Sequence, residues 1–331
     1  MSNGRILVTG GSGFIGSRIV LQLLAHGIPV RILTRNPNAL THHHMVEPFH
    51  GDLAVPESLE GIEADIAGVI HCAGALGRWG VPASELHAIN TAAPLALLER
   101  FCEQFRRRNG GRFILVSGGG VSGPLGTMIG DETTPCCPAT AYEKTKYQAE
   151  TALIERAESL SMDVVVVRPT FTYGPDDPHK LPLFKRIRDR RFLFIGDGNA
   201  LIHPVHVNDA ARGILLAREK GRSGEIYIIG GREPVSWLQL TTTLSHALGV
   251  PPPRWHIPEG LSRMVAGFLE FTAHRLPLFE PLLTRGRILM VNGGYGYSID
   301  KAINDLKYHP NHTLEDGIVE TVASYQRMGW L

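Results

Sequence analysis

A phenol and an ammonium four residues apart are the pair in this sequence best placed to move a proton. Tyr142 and Lys146 stand in the run Ala141-Tyr142-Glu143-Lys144-Thr145-Lys146, ahead of a long amphipathic stretch. Residues four apart share one face of a helix. A free phenol ionises near pH ~10, too high for a base at neutrality. A neighbouring positive charge favours the phenolate and brings it closer. Tyr142 could then take a proton from an alcohol or give one to a carbonyl. Lys144 and Tyr147 have the wrong spacing for the same pairing.

A second run supplies a place for phosphates. Thr9-Gly10-Gly11-Ser12-Gly13-Phe14-Ile15-Gly16 follows a short apolar strand pattern and opens a helical one. Glycine is needed there for a tight turn, for close approach of backbone to a pyrophosphate, and for close packing of helix on strand. The free N–H groups of the helix N-terminus then face the anion. This context points to a dinucleotide held by Gly10, Gly13, Phe14, Ile15 and Gly16. The positive ring of an oxidised nicotinamide would add to the pull on Tyr142, and Lys146 could also hold the ribose. At the end of the second strand the sequence reads Arg31-Ile32-Leu33-Thr34-Arg35-Asn36. Thr34 stands where NAD enzymes place an acid, and Arg35 follows. A 2′-phosphate would meet a cation there, so the reading favours NADP and leaves NAD open.

These groups need a framework that brings them together. The first half alternates apolar runs with helical patterns: strands are expected at Arg5–Thr9, Val30–Thr34, Val69–Cys72, Phe113–Ser117 and Val164–Arg168. Helices are expected at Ile15–His26, Glu85–Arg107 and Ala141–Leu160. Such alternation implies right-handed βαβ units and a parallel sheet. After Pro169 the pattern loosens, with a basic helical stretch at Leu183–Arg191, a helix at Asn208–Lys220 and a strand at Glu225–Ile229. The sequence from Ser236 onward reads as mostly helical. The expected fold is α/β, a Rossmann-type doubly wound parallel sheet (1–170 plus 208–231), with a smaller, discontinuous, mostly helical substrate domain (171–207 plus 232–331).

Composition narrows the class. The 331 residues are 43% hydrophobic and 20% charged, with 33 Lys and Arg against 32 Asp and Glu. That balance offers no basic surplus for nucleic acid. The four cysteines, Cys72, Cys102, Cys136 and Cys137, form no C-x-x-C pair, which argues for free thiols in a reducing compartment. The start of the chain does not read as a signal peptide, and no apolar run reaches the ~20 residues of a spanning helix. A cytoplasmic protein is expected. The His42-His43-His44 tract reads as a loop, and His203 and His206 as structural, so no metal site is expected.

Several further motifs complete a family pattern. They are Gly51-Asp52-Leu53, Val69-Ile70-His71-Cys72-Ala73-Gly74, Asn90-Thr91, Arg168-Pro169-Thr170-Phe171-Thr172-Tyr173-Gly174-Pro175 and His206-Val207-Asn208-Asp209. With Thr9–Gly16 and Tyr142–Lys146, they make the chain resemble the extended short-chain dehydrogenases/reductases, the NAD-dependent epimerase/dehydratase family. The resemblance implies that Asp52 and Leu53 flank the adenine. It places Ala73 on the cofactor groove, Asn90 under it, and Pro169 near the carboxamide. It also implies dimerisation through the helices near Glu85–Arg107 and Ala141–Leu160.

One position departs from the family pattern. The usual catalytic Ser or Thr falls on Gly118 in Val116-Ser117-Gly118-Gly119-Gly120-Val121-Ser122-Gly123. Ser117, taken as the third catalytic residue, or Ser122 is left to supply the hydroxyl, unless water or backbone N–H groups do so. The segment Gly196–Pro204 lacks the arginine usual in nucleotide-sugar enzymes, and the chain is more similar to the 3β-hydroxysteroid dehydrogenase-like branch. That implies a secondary alcohol/ketone on an apolar, steroid- or isoprenoid-like molecule. Leu261–Phe271 and Leu276–Leu283 could line an apolar pocket or touch a bilayer, and the basic stretch Lys180–Arg191 could meet anionic headgroups. Lys185, Arg186, Arg188, Arg190 and Arg191 could instead grip a diphosphate, which keeps a nucleotide-sugar epimerase/dehydratase in play. The missing hydroxyl at 118 also admits a non-catalytic, NADP-binding regulatory protein.

Overall fold

The computed structural model describes residues 4–39, 43–77, 79–108, 110–275, 280–281 and 283–331. His42 of the histidine tract, and 276–279 and 282 of the late apolar stretch, lie outside the described residues.

Seven parallel strands form the central sheet: β1 (Arg5–Thr9), β2 (Val30–Thr34), β3 (Val46–His50), β4 (Ile66–His71), β5 (Arg112–Val116), β6 (Asp163–Pro169) and β7 (Ile226–Ile229). Their order is β7-β6-β5-β4-β1-β2-β3. Val164 to Val167 are wholly buried, as a β-branched run covered on both faces must be. Strand β3 was not expected from the sequence, because Pro48 interrupts it. It sits at the sheet edge, paired only with β2, where a residue without an N–H is tolerated. The order reverses at β1, between β4 and β2. That is the switch point at which a crevice opens beyond the strand C-termini.

Helix α1 (Phe14–Ala25) lies on one face of the sheet. Helices α2 (Ala93–Arg107) and α3 (Ala141–Leu160) lie on the other, where Leu97, Phe101, Ala149 and Leu153 pack against Val69, Phe113 and Val164. The chain enters α2 through a short helical turn (Ala83–His87) and a π turn (Ala88–Ala92). α3 begins with a capping box: Thr140 Oγ1 accepts from Glu143 N, and the Glu143 carboxylate accepts from Thr140 N. Below α3, Arg168 and Glu150 form a buried ion pair at 2.6 Å.

The remaining helices are α4 (Leu181–Arg188), α5 (Val207–Lys220), α6 (Trp237–Leu248), α7 (Glu259–Arg275), α8 (Arg285–Asn292) and α9 (Leu314–Arg327). α5 joins α1 on the first face. Tyr173, Phe184, Phe194, Trp237, Leu240, Ile318 and Tyr325 build a separate core among α4, α6 and α9. Tyr297, Ile299, Leu306 and Tyr308 return to the sheet and pack with Ile214, Tyr227 and Ile229. Part of the late chain therefore closes the first core rather than extending the helical region.

Candidate active site

The glycine turn is built as the sequence requires. Gly10 has φ +67°, a conformation that side chains rarely adopt. A Cβ on Gly16 would stand 2.0 Å from Gly10 O, so helix and turn can approach this closely only without one. Gly13 is the N-cap of α1, with no side-chain cap and no acid in the first helical turn. Phe14 and Ile15 follow as its first residues. The free N–H groups are therefore presented to an anion with nothing competing. The cradle fits a dinucleotide pyrophosphate.

The other expected cofactor contacts line the same edge of the sheet. Arg35 follows β2, Asp52 and Leu53 follow β3, Ala73 follows β4, and Pro169 ends β6. Ala73 N donates to Thr9 Oγ1, whose hydroxyl also bonds His71 Nδ1 at 3.0 Å. Asp52 Oδ1 accepts from Ala54 N, which fixes its turn. The Arg35 side chain is 82% exposed and 4.0 Å from Asp52.

Asn90 sits on the π turn and is buried. Its amide accepts from Ala75 N at 2.8 Å and donates to Ala75 O and to Thr145 Oγ1. It thereby pins the loop after β4 to α3. Its neighbour Thr91 donates to Thr145 O at 2.8 Å, and Thr145 was not singled out from the sequence. The π turn gives the helix one extra residue, which puts both polar side chains on the crevice side.

Tyr142 and Lys146 both come to this crevice. Lys146 Nζ is buried and donates to Val116 O at 2.8 Å, at the C-terminal end of β5. Burial lowers its pKa. Burial and the Lys146 charge together bring His71 down to about 3, so that imidazole is neutral. Tyr142 is not held as a phenolate by the chain itself. Burial first, then Cys72 and Glu143, push its phenol up to about 12. Lys146 is tied to a carbonyl of the sheet, and burial is the largest effect on the phenol of the chain without cofactor. Tyr142 is a neutral acid near pH 7.

The structure also places the missing hydroxyl. Gly118 is extended, at φ −171° and ψ 148°. A Cβ there would lie 3.9 Å from Tyr142 Oη, with no other atom within 4 Å. Ser117 precedes Gly118, its N–H donating to Val167 O at 2.8 Å. Its Oγ is buried without a hydrogen-bond partner among the described residues. Ser122 Oγ is also buried without a hydrogen-bond partner among the described residues, and the Tyr297 phenol donates to Gly119 O.

Other candidates fall elsewhere. His203 bonds Gly231 O, while His206 caps α5 by accepting from Asn208 N. His206 Nε2, His312 and Glu320 converge within metal-ligand reach of one another. His206 Nε2 lies 3.5 Å from the Glu320 carboxylate. Leu261, Met264, Val265, Phe268 and Phe271 of α7 are exposed. Among the described residues, no helix is long and apolar enough to cross a membrane.

A parallel sheet with a glycine cradle at its switch point and a Tyr–Lys helix beside it defines a dinucleotide-dependent enzyme class. The pattern of the NAD dependent epimerase/dehydratase family matches residues 6–230, and the chain belongs to that family. It is 30% identical to a 4-hydroxy-2-methyl-3-oxo-4-farnesyl-3,4-dihydroquinoline-1-oxide ketoreductase of Stigmatella aurantiaca, over 95% of this chain and 94% of that one. It is 26% identical to a 3β-hydroxysteroid dehydrogenase/Δ5→4-isomerase of Mycobacterium tuberculosis, over 97% and 90%. Among solved structures it is similar to the dTDP-glucose 4,6-dehydratase DesIV of Streptomyces venezuelae, crystallised with NAD. That match has a TM-score of 0.78, 27% identity and 98% coverage of both chains. The chain is an NAD(P)-dependent enzyme acting on a small molecule.

Proposed function

We propose that the chain interconverts a ketone and a secondary alcohol on an apolar, steroid- or isoprenoid-like molecule, with NADP preferred. The observation that carries this reading is the Tyr142 phenol beside the open space at Gly118. A protonated phenol can donate to a carbonyl oxygen as it gains charge. Bound at the glycine cradle, a reduced nicotinamide supplies the hydride. Lys146, tied to Val116 O, holds the floor of the site and is placed to meet the cofactor ribose. Arg35, exposed next to Thr34, favours a 2′-phosphate. Similarity to a ketoreductase and a hydroxysteroid dehydrogenase supports the substrate class. The reading also holds that Asp52, Leu53, Ala73, Asn90 and Pro169 contact the cofactor, that residues 171–207 and 232–331 form the substrate domain, and that the enzyme is a cytoplasmic homodimer.

The test is oxidation of NADPH and NADH, followed at 340 nm, against a panel of apolar cyclic and branched ketones. Tyr142→Phe should bind NADPH as the parent does and lose at least ~100-fold in kcat. Undiminished turnover in the variant would remove the proton role. A nucleotide-sugar dehydratase reading draws support from the likeness to DesIV. It predicts conversion of a sugar nucleotide with no net change in cofactor absorbance.

A further inference from the structure

Helix α7 is amphipathic the wrong way round for a core helix. Its buried side is small: Ser262, Ala266 and Ala273, with Ala266 packed on Ile195 and Ile288. Its large apolar side chains, Leu261, Met264, Val265, Phe268 and Phe271, recur at helical spacing on the outer face. Met264 is 69% and Phe268 67% exposed. The strand pair at the foot of the helix extends the patch. Phe194 N bonds Trp255 O there, which sets Leu193 beside Trp255, itself 72% exposed. Large exposed apolar faces mark interaction sites.

Charge says what covers this face. The segments 185–197 and 254–287 carry ten Lys and Arg against five Asp and Glu, while the whole chain is nearly balanced at 33 against 32. Arg263, Arg285 and Arg287 pair with Glu259, Glu270 and Glu280. Arg190, Arg191, Arg254 and Arg275 are exposed and make no ion pair with a described carboxylate. A second copy seated on this face would set unpaired arginines near arginines. A surface of anionic lipid would instead meet apolar side chains with acyl chains and arginines with headgroups.

We propose that α7, with Leu193 and Trp255, docks the protein in the plane of an anionic lipid surface. The helix lies on the interface and does not span it. The position suits the reaction proposed above. Glu270 of α7 accepts from Arg285 N at 2.8 Å, which ties the two helices. A Cβ on Gly286 of α8 would stand 3.9 Å from the Thr140 methyl, two residues before Tyr142. The docked face thus borders the mouth of the crevice, where an apolar substrate would arrive. That last clause rests on the functional reading; the docking does not.

Sedimentation of the full-length protein with vesicles tests the docking without turnover. Vesicles of phosphatidylcholine with about one quarter phosphatidylglycerol should bind it at least about tenfold better than phosphatidylcholine alone, and added salt should release it. Met264→Ser with Phe268→Ser should lose at least about tenfold of the binding at unchanged melting temperature, since both side chains are exposed. Arg254→Glu with Arg275→Glu should lose a similar amount at unchanged melting temperature. Three results would each overturn the proposal: no vesicle binding, binding indifferent to lipid charge, or a parent dimer that Met264→Ser with Phe268→Ser turns into a monomer.

Discussion

Gly118→Ser adds one hydroxyl to the open side of Tyr142. The backbone there is extended, so serine fits without strain, and its Cβ lies 3.9 Å from Tyr142 Oη with no other neighbour within 4 Å. From that point a staggered Oγ reaches hydrogen-bond range of an oxygen held by the phenol. A donor preorganised against developing negative charge is worth about 2.7–4 kcal/mol. The new hydroxyl has no supporting partner to fix its rotamer, so about half of that, ~1.5 kcal/mol, is expected. That is about tenfold in kcat/KM. The assay is ketone-dependent NADPH oxidation at saturating cofactor, with NADPH affinity measured separately by fluorescence and Gly118→Ala as the control for the added carbon. The serine variant should gain about tenfold, the alanine variant nothing, and cofactor affinity should not move. If serine and alanine behave alike while the fold and cofactor site are intact, position 118 does not reach the reacting oxygen. The geometric reading of the site would then be wrong.

Two further outcomes follow from the same structure. Gly16→Ala would drive a methyl to within 2.0 Å of Gly10 O, so dinucleotide binding should fall at least ~100-fold and the melting temperature should drop by several degrees; near-parent affinity by calorimetry would contradict the cradle. Stability should fall steeply as the pH drops below 6.5. Burial holds His71 at about 3 and His203 and His206 at about 4. His206 meets His312 and Arg18, which lower it, and Asp209, which raises it. The unfolded chain binds protons on these histidines between pH ~6.5 and ~4 and the folded chain does not, so unfolding gains about 2 kcal/mol from each by pH ~5. Together that is comparable with the whole stability of an ordinary domain. Denaturant midpoints that stay level from pH ~7 to ~5 would show that these imidazoles are not buried neutral.

The sheet was legible because each parallel strand is covered on both faces and must be apolar throughout. Val164–Val167 states this outright, and α3 was expected over Ala141–Leu160 from its amphipathic pattern, the bounds the structure has. The edge strand was not legible, since Pro48 argues against a strand anywhere except where only one neighbour pairs with it. The π turn at Ala88–Ala92 leaves no signature in residue type, although Asn90 was found by resemblance. Ser117 was chosen for its hydroxyl. The structure shows its Oγ buried and without a hydrogen-bond partner among the described residues. Spacing shows that an ammonium is near Tyr142, but not that it is tied to Val116 O or that burial raises the phenol.

These bonds divide the site into fixed and variable parts. Asn90 holds the loop at Ala75, Thr91 holds Thr145, and Lys146 holds Val116, so α2, α3 and the ends of β4 and β5 are locked by buried hydrogen bonds. Losing any one leaves a buried polar group unpaired, at about 1–3 kcal/mol. The groups facing Tyr142 from above carry no such tie. Gly118 offers only a hydrogen, Gly77 packs against the tyrosine Cβ, and Tyr295 reaches Glu143 across a long 3.4 Å contact. Cofactor geometry and proton donation are thus set by the locked half. A ketoreductase, a hydroxysteroid dehydrogenase and a sugar-nucleotide dehydratase are similar to this chain over nearly their whole length.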